Sequence, residues 1–190
     1  LVVKWQQSMP PDMPNRFAVG IQNDQIDDVR AQFASMGKTP DLYPMVRGRL
    51  IRIGERDVSG EKFEDQRAKR LAEREFNLTW GDKVRKDNRV VAGKFWAQGT
   101  SEKEFSVEEG IAKALRINLG DTLTFDVAGL QFTAPVTSIR KVDWDSFRPN
   151  FFVSASPPLL RDYPASWITS FHLPKGRDDA VAALVQKFPN

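Results

Sequence analysis

The sequence predicts a mixed α+β fold in which the two ends of the chain form one lobe and the middle forms another. A strand–helix–strand pattern occupies 17–53, which is one half of a split ferredoxin-like layout. A strand–helix pattern over 167–188 echoes the first but lacks its closing strand. Near Gly99 the composition changes to short alternating strands and turns. We therefore expect a discontinuous βαβ subdomain with a β-rich subdomain inserted into it.

The first pattern is defined by alternation, by capping residues and by one apolar helix face. Phe17–Gln22 alternates as a strand does, and Asn23 or Asp24 then caps a helix. Gly37 follows this helix at C′, where a left-handed conformation costs no Cβ clash. A second strand is expected at Tyr43–Ile53. The apolar face of the helix consists of Ile26, Val29, Phe33 and Met36.

The region 54–98 combines a charged segment with two extended ones. A helix is expected over 64–73, and its basic side chains are interleaved with acidic ones, as on a solvated face. Glu75–Trp80 alternates apolar and polar residues and predicts a half-buried strand. Val90 to Trp96 predicts a further extended segment.

The middle of the chain carries a capping box and a hairpin pattern. Ser106 begins Ser-Val-Glu-Glu, in which Ser106 is expected to cap a short helix while Glu109 reaches back to it. Two alternating runs around Ala128-Gly129 predict a β-hairpin over 123–136.

The last part of the chain predicts a strand at Trp167–Leu173 and a helix near 178–188. Its pattern matches the opening unit, so we expect both ends to join in one body. We place the discontinuous subdomain at 1–98 plus 158–190 and the inserted one at 99–157.

Composition excludes several classes of protein. The net charge is +3, but 28 basic residues are interleaved with 25 acidic ones, unlike the concentrated basic stripe of a nucleic-acid-binding protein. The absence of cysteine excludes disulfides, thiolate metal sites and a cysteine nucleophile, and a single histidine excludes histidine-rich metal centres. No run approaches the ~18–20 apolar residues of a membrane span. Because the chain begins Leu-Val-Val without an initiator Met, we expect an excised piece of a longer protein.

The sequence also lacks the combinations of residues that an enzyme active site would require. Asp143-Trp144-Asp145 has the carboxylate spacing of some metal-dependent sugar transferases, but no second acidic cluster or glycine-rich nucleotide loop accompanies it. A serine nucleophile would need His172 as its base and would lie in a Gly-x-Ser-x-Gly elbow, but the sequence contains no such elbow. No Walker motif for binding ATP is present either. We expect no catalytic residues, no metal and no cofactor, and hence no enzyme. Trp96 and Trp144 lie near loops and are candidate anchors for a partner or an apolar ligand.

Several segments resemble the periplasmic regions of ABC-transporter permeases of the MacB/FtsX superfamily. SVEEGIAKALRINLGDTLTF is similar to the helix–turn–strand of the "sabre" subdomain in these permeases. TAPVTSIRKVDWDSFRPNFFV and ASWITSFHLP resemble one branch, the YbbP-like permeases with two FtsX domains. LYPMVRGRLIRI, REFNLTW and NRVVAGKFW resemble the same branch, so the similarity spans nearly the whole chain.

The resemblance implies a periplasmic domain strung between transmembrane helices of a bacterial inner-membrane permease. It implies a discontinuous porter-like subdomain with an inserted sabre-like subdomain, and energy from a separate cytoplasmic ATPase. The expected function is to transmit ATP-driven motion to the periplasm, for export or extraction of lipid-like or hydrophobic compounds.

Two other functions stay open at this point. In the first, the domain is a docking module for a periplasmic lysophospholipase or thioesterase. The candidate contact residues for that partner are Trp144, Asp143, Asp145 and Arg148. In the second, the chain is a stand-alone enzyme, which requires a cleft with perturbed carboxylates.

Overall fold

The computed structural model describes residues 2–4, 14–60, 66–146, 148–172 and 185. The helices are α1 (Ile26–Ser35), α2 (Gln66–Glu73), α3 (Glu109–Leu115) and α4 (Pro157–Leu160). The strands are β1 (Val2–Lys4), β2 (Arg16–Ile21), β3 (Tyr43–Ile53), β4 (Arg56–Asp57), β5 (Glu75–Trp80), β6 (Asn88–Gly93), β7 (Phe105–Glu108), β8 (Thr122–Val127), β9 (Leu130–Val142), β10 (Val153–Ala155) and β11 (Ser166–Phe171). The mixed α+β class is confirmed.

The chain divides into two compact units. Unit 1 comprises Leu1–Met45, Trp144–Pro149 and Ala165–Asn190, and unit 2 comprises Val46–Asp143 and Asn150–Pro164. These limits differ from the predicted ones, because 46–98 belongs with the middle of the chain in unit 2. The division into subdomains 1–98 plus 158–190 and 99–157 stays a prediction.

Unit 1 is built around the pairing of an early strand with a late one. β11 pairs antiparallel with β2, and the start of β3 lies on its other edge, with Trp167 opposite Pro44. β1 extends the sheet beyond β2. The predicted union of the two chain ends is thus confirmed for the last strand. The predicted helix near 178–188 falls, apart from Val185, outside the described residues.

The core of unit 1 follows from the predicted helix face. Val29 and Phe33 of α1 are buried against the sheet, and the Phe33 ring meets Phe171 of β11 edge-on, with 4.9 Å between ring centroids. Gly37 has φ of +72° directly after the α1 C-cap, as predicted from the sequence.

Six strands of unit 2 pair in a closed ring. The order runs β3–β5–β10–β7–β9–β8 and returns to β3. Two of these pairings, β5–β10 and β7–β9, are parallel. Phe76, Phe105 and Phe125 are buried, with Phe125 in ring contact with both of the others. The predicted 123–136 hairpin is confirmed as β8–β9, whose turn residues Ala128 and Gly129 both have positive φ.

β6 lies outside this closed ring and pairs with the second half of β9. β9 is therefore shared: its first half pairs with β8 and its second half with β6 and β7. Within the described residues, every helix is too short or too polar to cross a bilayer.

Candidate functional site

The predicted partner-contact residues lie in and beside one short 3₁₀ turn, Trp144–Ser146. Trp144 is 50% exposed, and Asp143 and Asp145 are exposed as well. Arg148 is half-buried, and its backbone N–H donates to Ser146 Oγ at 3.3 Å. Asp143 closes a segment of unit 2, whereas Trp144–Pro149 belongs to unit 1.

The other tryptophan considered as an anchor is not available on the surface. Trp96 is 6% exposed, and its indole Nε1–H donates to the Gly81 carbonyl at 2.8 Å. A buried indole with a satisfied donor is part of the packing. The prediction that Trp96 anchors a partner is therefore wrong, because the segment after β6 folds back onto the loop after β5.

The two ends of the Trp144–Pro149 segment return to the same residue of unit 2. The backbone N–H of Asp143 donates to the Asp87 carbonyl at 2.8 Å, just before the segment. Asn150 follows the segment, and its Nδ2 donates to Asp87 Oδ2. Asn88 Nδ2 donates to Asp87 Oδ1 at 3.0 Å and to Asn150 Oδ1 at 2.8 Å. Both stems of the segment are thus tied to the Asp87-Asn88 pair.

Arg140 lies beneath this pair and is 3% exposed. Its Nη1 donates to Asn88 Oδ1 at 2.6 Å, and its Nε donates to Ser106 Oγ at 2.9 Å. Its Nη2 faces the carbonyl oxygens of Ser106, Phe151 and Phe152 at 3.1–3.2 Å. A planar guanidinium suits such a fork of acceptors better than a lysine ammonium does. We call Asp87, Asn88, Arg140 and Asn150 the polar network.

Burial lowers the pKa of Arg140 from its ordinary value to about 10, since desolvation disfavours the charged form. The nearby charge of Arg85 lowers the pKa further, whereas Glu108 and Asp87 raise it. Arg85 itself lies over the Phe151 ring, 4.8 Å from its centroid, and donates to Thr79 Oγ1 at 3.1 Å. The network thus contains a buried cation with acidic groups near it.

The local sequence explains why Arg140 points inward. In the second half of β9 the even-numbered positions are buried, and Arg140 follows Val136 and Ser138 in that alternation. Ser138 Oγ donates to Ser106 Oγ at 2.7 Å on the neighbouring parallel strand. An arginine at an inward position of an alternating strand is the sequence signal that could have identified this network.

The predicted capping box is wrong. Ser106 lies within β7, is fully buried and bonds to Ser138 and Arg140 instead of capping a helix. The N-cap of α3 is Glu108, whose carboxylate accepts the N–H groups of Gly110 at 2.7 Å and Ile111 at 2.8 Å. The strand continues two residues beyond the predicted cap, because β7 is paired on both sides.

The arrangement is suited to holding backbone in place. His172 is half-buried at the end of β11, in unit 1, and the polar network lies in unit 2. Among residues 14–60, 66–146 and 148–172, no three His, Cys, Asp or Glu side chains gather as a metal site would require. What the polar network can do is fix the stems of the segment that carries Trp144.

Comparison with family models gives no match. The Escherichia coli (strain K12) protein described as "Uncharacterized ABC transporter permease YbbP" is 39% identical over the whole chain. The chain spans 22% of that relative's length. The description is of a transport protein rather than an enzyme, in agreement with the prediction from sequence. ABC permeases in general are membrane-associated proteins that act with an ATPase. Along its whole length the chain is therefore similar to one segment of an ABC transporter permease.

Proposed function

We propose that this chain is the extracytoplasmic domain of an inner-membrane ABC permease and that it transmits ATP-driven motion into the periplasm. The observation that carries the proposal is the 39% identity to an ABC permease along all 190 residues. The transported compounds would be lipid-like or hydrophobic, and the energy would come from a cytoplasmic ATPase subunit.

The architecture supports a mechanical role. The chain passes between the two compact units at 45/46, 143/144, 149/150 and 164/165, so each unit is assembled from separate parts of the sequence. Each unit also has its own buried core, and a buried core is what allows a unit to move as a rigid body. We propose that unit 1 is the centre of a porter-like, split ferredoxin-like subdomain, and that the inserted sabre-like subdomain lies in unit 2.

The location can be tested by labelling a full permease without other reactive cysteines, to which this chain contributes none. Ser101 is exposed, and Ser101→Cys in the full permease should react with a membrane-impermeant maleimide added to cells with a permeable outer membrane. Ser106→Cys is the control, since that side chain is fully buried. Labelling of Ser101→Cys only after inner-membrane lysis would contradict the periplasmic location.

The mechanical role is tested on the full transporter by cryo-electron microscopy. We expect units 1 and 2 to occupy different positions in the ATP-free transporter and in one locked by an inactive ATPase. Identical positions in the two states would rule out mechanotransmission and leave the location unaffected.

A second function is favoured by the exposure of Trp144. A half-exposed tryptophan in a short turn, flanked by Asp143 and Asp145, has the composition of a protein-contact hot spot. In this alternative the domain recruits a periplasmic lysophospholipase or thioesterase. Trp144→Ala should then abolish capture of the hydrolase, whereas Val91→Ala, which truncates another exposed apolar residue, should not. Equal capture by both variants would exclude this surface.

A further inference from the structure

The inner row of β9 carries apolar surface out of the core of unit 2 to the β8–β9 turn. Leu130 pairs with the buried Val127, so Leu130 and Phe132, two residues further on, lie on the inner face of the hairpin. Val136 of the same row is buried, whereas Phe132 is half-buried and Leu130 is 62% exposed. The inner row therefore reaches the surface at the turn.

Aromatic rings connect this end of the row with the core. The Phe132 ring lies 6.2 Å from Phe125 and 6.3 Å from Phe105, measured between centroids, and both of these residues are buried. It also contacts the half-buried ring of Tyr163, at 5.4 Å. Closed rings of strands commonly bind apolar groups at such an end. We call Leu130, Phe132 and Tyr163 the apolar mouth.

A groove of about 380 Å³ lies beside the same turn, and residues 128 and 129 form part of its wall. Its side chains from β3 are exposed ones that alternate with buried residues, so they lie on the outer face. Leu130 follows Gly129 directly, and the groove and the apolar mouth therefore meet at the turn. The charged residues that line the groove are Arg47, Arg49, Glu75 and Asp126.

The two ends of this charged groove differ in sign. Arg49 of β3 lies opposite Glu75 of β5 and opposite Asp126 of β8, so two carboxylates flank one guanidinium. Arg47 lies opposite the neutral Asn77. Positions 47 and 49 are about 7 Å apart along the strand. The charged groove thus has a positive end at Arg47 and a negative end at Glu75 and Asp126.

The turn between the groove and the mouth has an unusual residue at a left-handed position. Ala128 has φ of +52° and Gly129 has φ of +86°, a combination for which asparagine, aspartate or glycine is preferred at the first position. Asp126 Oδ1 accepts the Gly129 N–H at 3.0 Å and so fixes the turn. Ala128 keeps this wall of the groove small and apolar despite backbone strain, and such strain concentrates at binding sites.

We propose that the charged groove and the apolar mouth together bind a single-chain amphiphile whose headgroup is a zwitterion of the phosphoethanolamine type. Arg47 donates to the phosphate, as a guanidinium suits a phosphate group. Glu75 and Asp126 hold the ammonium, and the acyl chain lies on the apolar mouth. A purely anionic headgroup would be opposed by the two carboxylates. The inference rests on the proposed function, because it names the class of lipid-like compound that this domain contacts.

Calorimetric titration of the 190-residue chain with lauroyl lysophosphatidylethanolamine, below its micelle concentration, tests the proposal. Two further probes separate the parts of the ligand. Phosphoethanolamine lacks the acyl chain, and dodecyl maltoside has an acyl-like chain with an uncharged head. We expect the lysolipid to bind at least about tenfold more tightly than either probe, since each lacks one of the two contacts.

Two variants with matched controls assign the contacts. Arg47→Ala should weaken lysolipid binding about tenfold, the effect of losing one charge-assisted hydrogen bond. Leu130→Ala should weaken it at least about fivefold, because it removes apolar area from the mouth. Arg89→Ala and Val91→Ala truncate an exposed arginine and an exposed apolar residue on β6 of the same unit. They should leave the affinity within about twofold.

Glu75→Gln separates recognition of the ammonium from a structural role of the side chain. It should weaken binding of lysophosphatidylethanolamine about fivefold and strengthen binding of lysophosphatidylglycerol, which carries the phosphate without the ammonium. A structural role would change both affinities in the same direction. Glu109→Gln, at an exposed glutamate on α3, is the control and should leave both within about twofold.

Four results would overturn the proposal. They are no lysolipid binding, equally tight binding of dodecyl maltoside, equally tight binding of phosphoethanolamine, and parallel changes of both lysolipids in Glu75→Gln. None of them bears on the movement of the units, which cryo-electron microscopy of the full transporter measures. Lysolipid binding in a transporter whose units do not move would leave this site in place and remove the mechanical role.

Discussion

Arg140 of β9 and Ser106 of β7 are joined by a hydrogen bond of 2.9 Å from Nε to Oγ, and both side chains are almost completely buried. The bond crosses two parallel strands of the closed ring. It therefore anchors the polar network to the buried interior of unit 2.

Arg140→Ala should lower the free energy of unfolding by about 3 kcal/mol, because it removes the donor to a half-buried oxygen of Asn88 and to the buried carbonyls of Ser106 and Phe151. Arg140→Lys should cost about 2 kcal/mol, since an ammonium cannot reach the whole fork of acceptors. Urea unfolding of the 190-residue chain measures both. Arg89→Ala, on an exposed face of β6, is the control and should cost less than about 0.5 kcal/mol. A cost of Arg140→Ala as small as that of the control would contradict the account.

The stability that Arg140 contributes should be independent of pH near neutrality. Burial holds its folded pKa at about 10, below the value in the unfolded chain, so both states carry the proton from pH 6 to 8.5. Above pH 10 the folded chain releases its proton first. The unfolded chain then binds more protons, and folding gains up to about 1.4 kcal/mol per pH unit.

Comparison with Arg140→Met isolates this effect, because other groups titrate in both proteins. The difference in unfolding free energy between the two should be flat from pH 6 to 8.5 and should shift in favour of the unmodified chain above pH 10. If the difference in unfolding free energy already changes between pH 6 and 8, the pH dependence arises from the titration of a group other than Arg140.

Glu108, and not Glu109, should be the acidic residue on which α3 depends. Glu108→Ala removes the acceptor for two N–H groups of the first turn and should cost about 1–2 kcal/mol. Glu108→Gln retains one oxygen and should cost less. Glu109→Ala, an exposed neighbour, should cost under about 0.5 kcal/mol. Thermal unfolding of the three variants measures these losses, and a larger loss for Glu109→Ala than for Glu108→Ala would support the predicted capping box.

Gly93 and Gly99 should differ in their tolerance of alanine. Both have positive φ, +71° and +77°. A Cβ at Gly93 would overlap the Thr137 carbonyl oxygen and approach Leu119 Cδ2 at 2.8 Å, whereas a Cβ at Gly99 meets nothing within 4 Å. Gly99→Ala should cost about 1 kcal/mol from backbone strain alone, and Gly93→Ala about 3 kcal/mol or more. Equal losses in chemical denaturation would show that the chain relaxes at Gly93.

Local sequence patterns were sufficient to predict the elements that are defined by neighbouring residues or by a single helical or strand periodicity. α1, Gly37 and the β8–β9 hairpin were predicted because helical spacing, a C′ glycine and a turn between alternating runs are all visible within a short window. The similarity of the two end patterns predicted that both chain ends lie in one body, but it did not predict that β2 pairs with β11.

The closed ring and the polar network lay beyond such patterns. The parallel pairings β5–β10 and β7–β9 join strands that are far apart in sequence, and alternation does not identify a partner strand. The same limit explains Ser106. Its local sequence matches a capping box, but pairing on both edges of β7 extends the strand and turns the hydroxyl toward Arg140.

The central claim, that the two units move with the ATPase cycle, is tested most directly by electron–electron distances between spin labels. One label replaces Arg30 on α1 of unit 1 and the other replaces Glu55 beside β4 of unit 2, both exposed, in a full permease without other reactive cysteines. A Glu55–Lys103 pair within unit 2 serves as the control. We predict that ATPase locking shifts the Arg30–Glu55 distribution and leaves the control unchanged; two identical Arg30–Glu55 distributions would contradict the mechanical account.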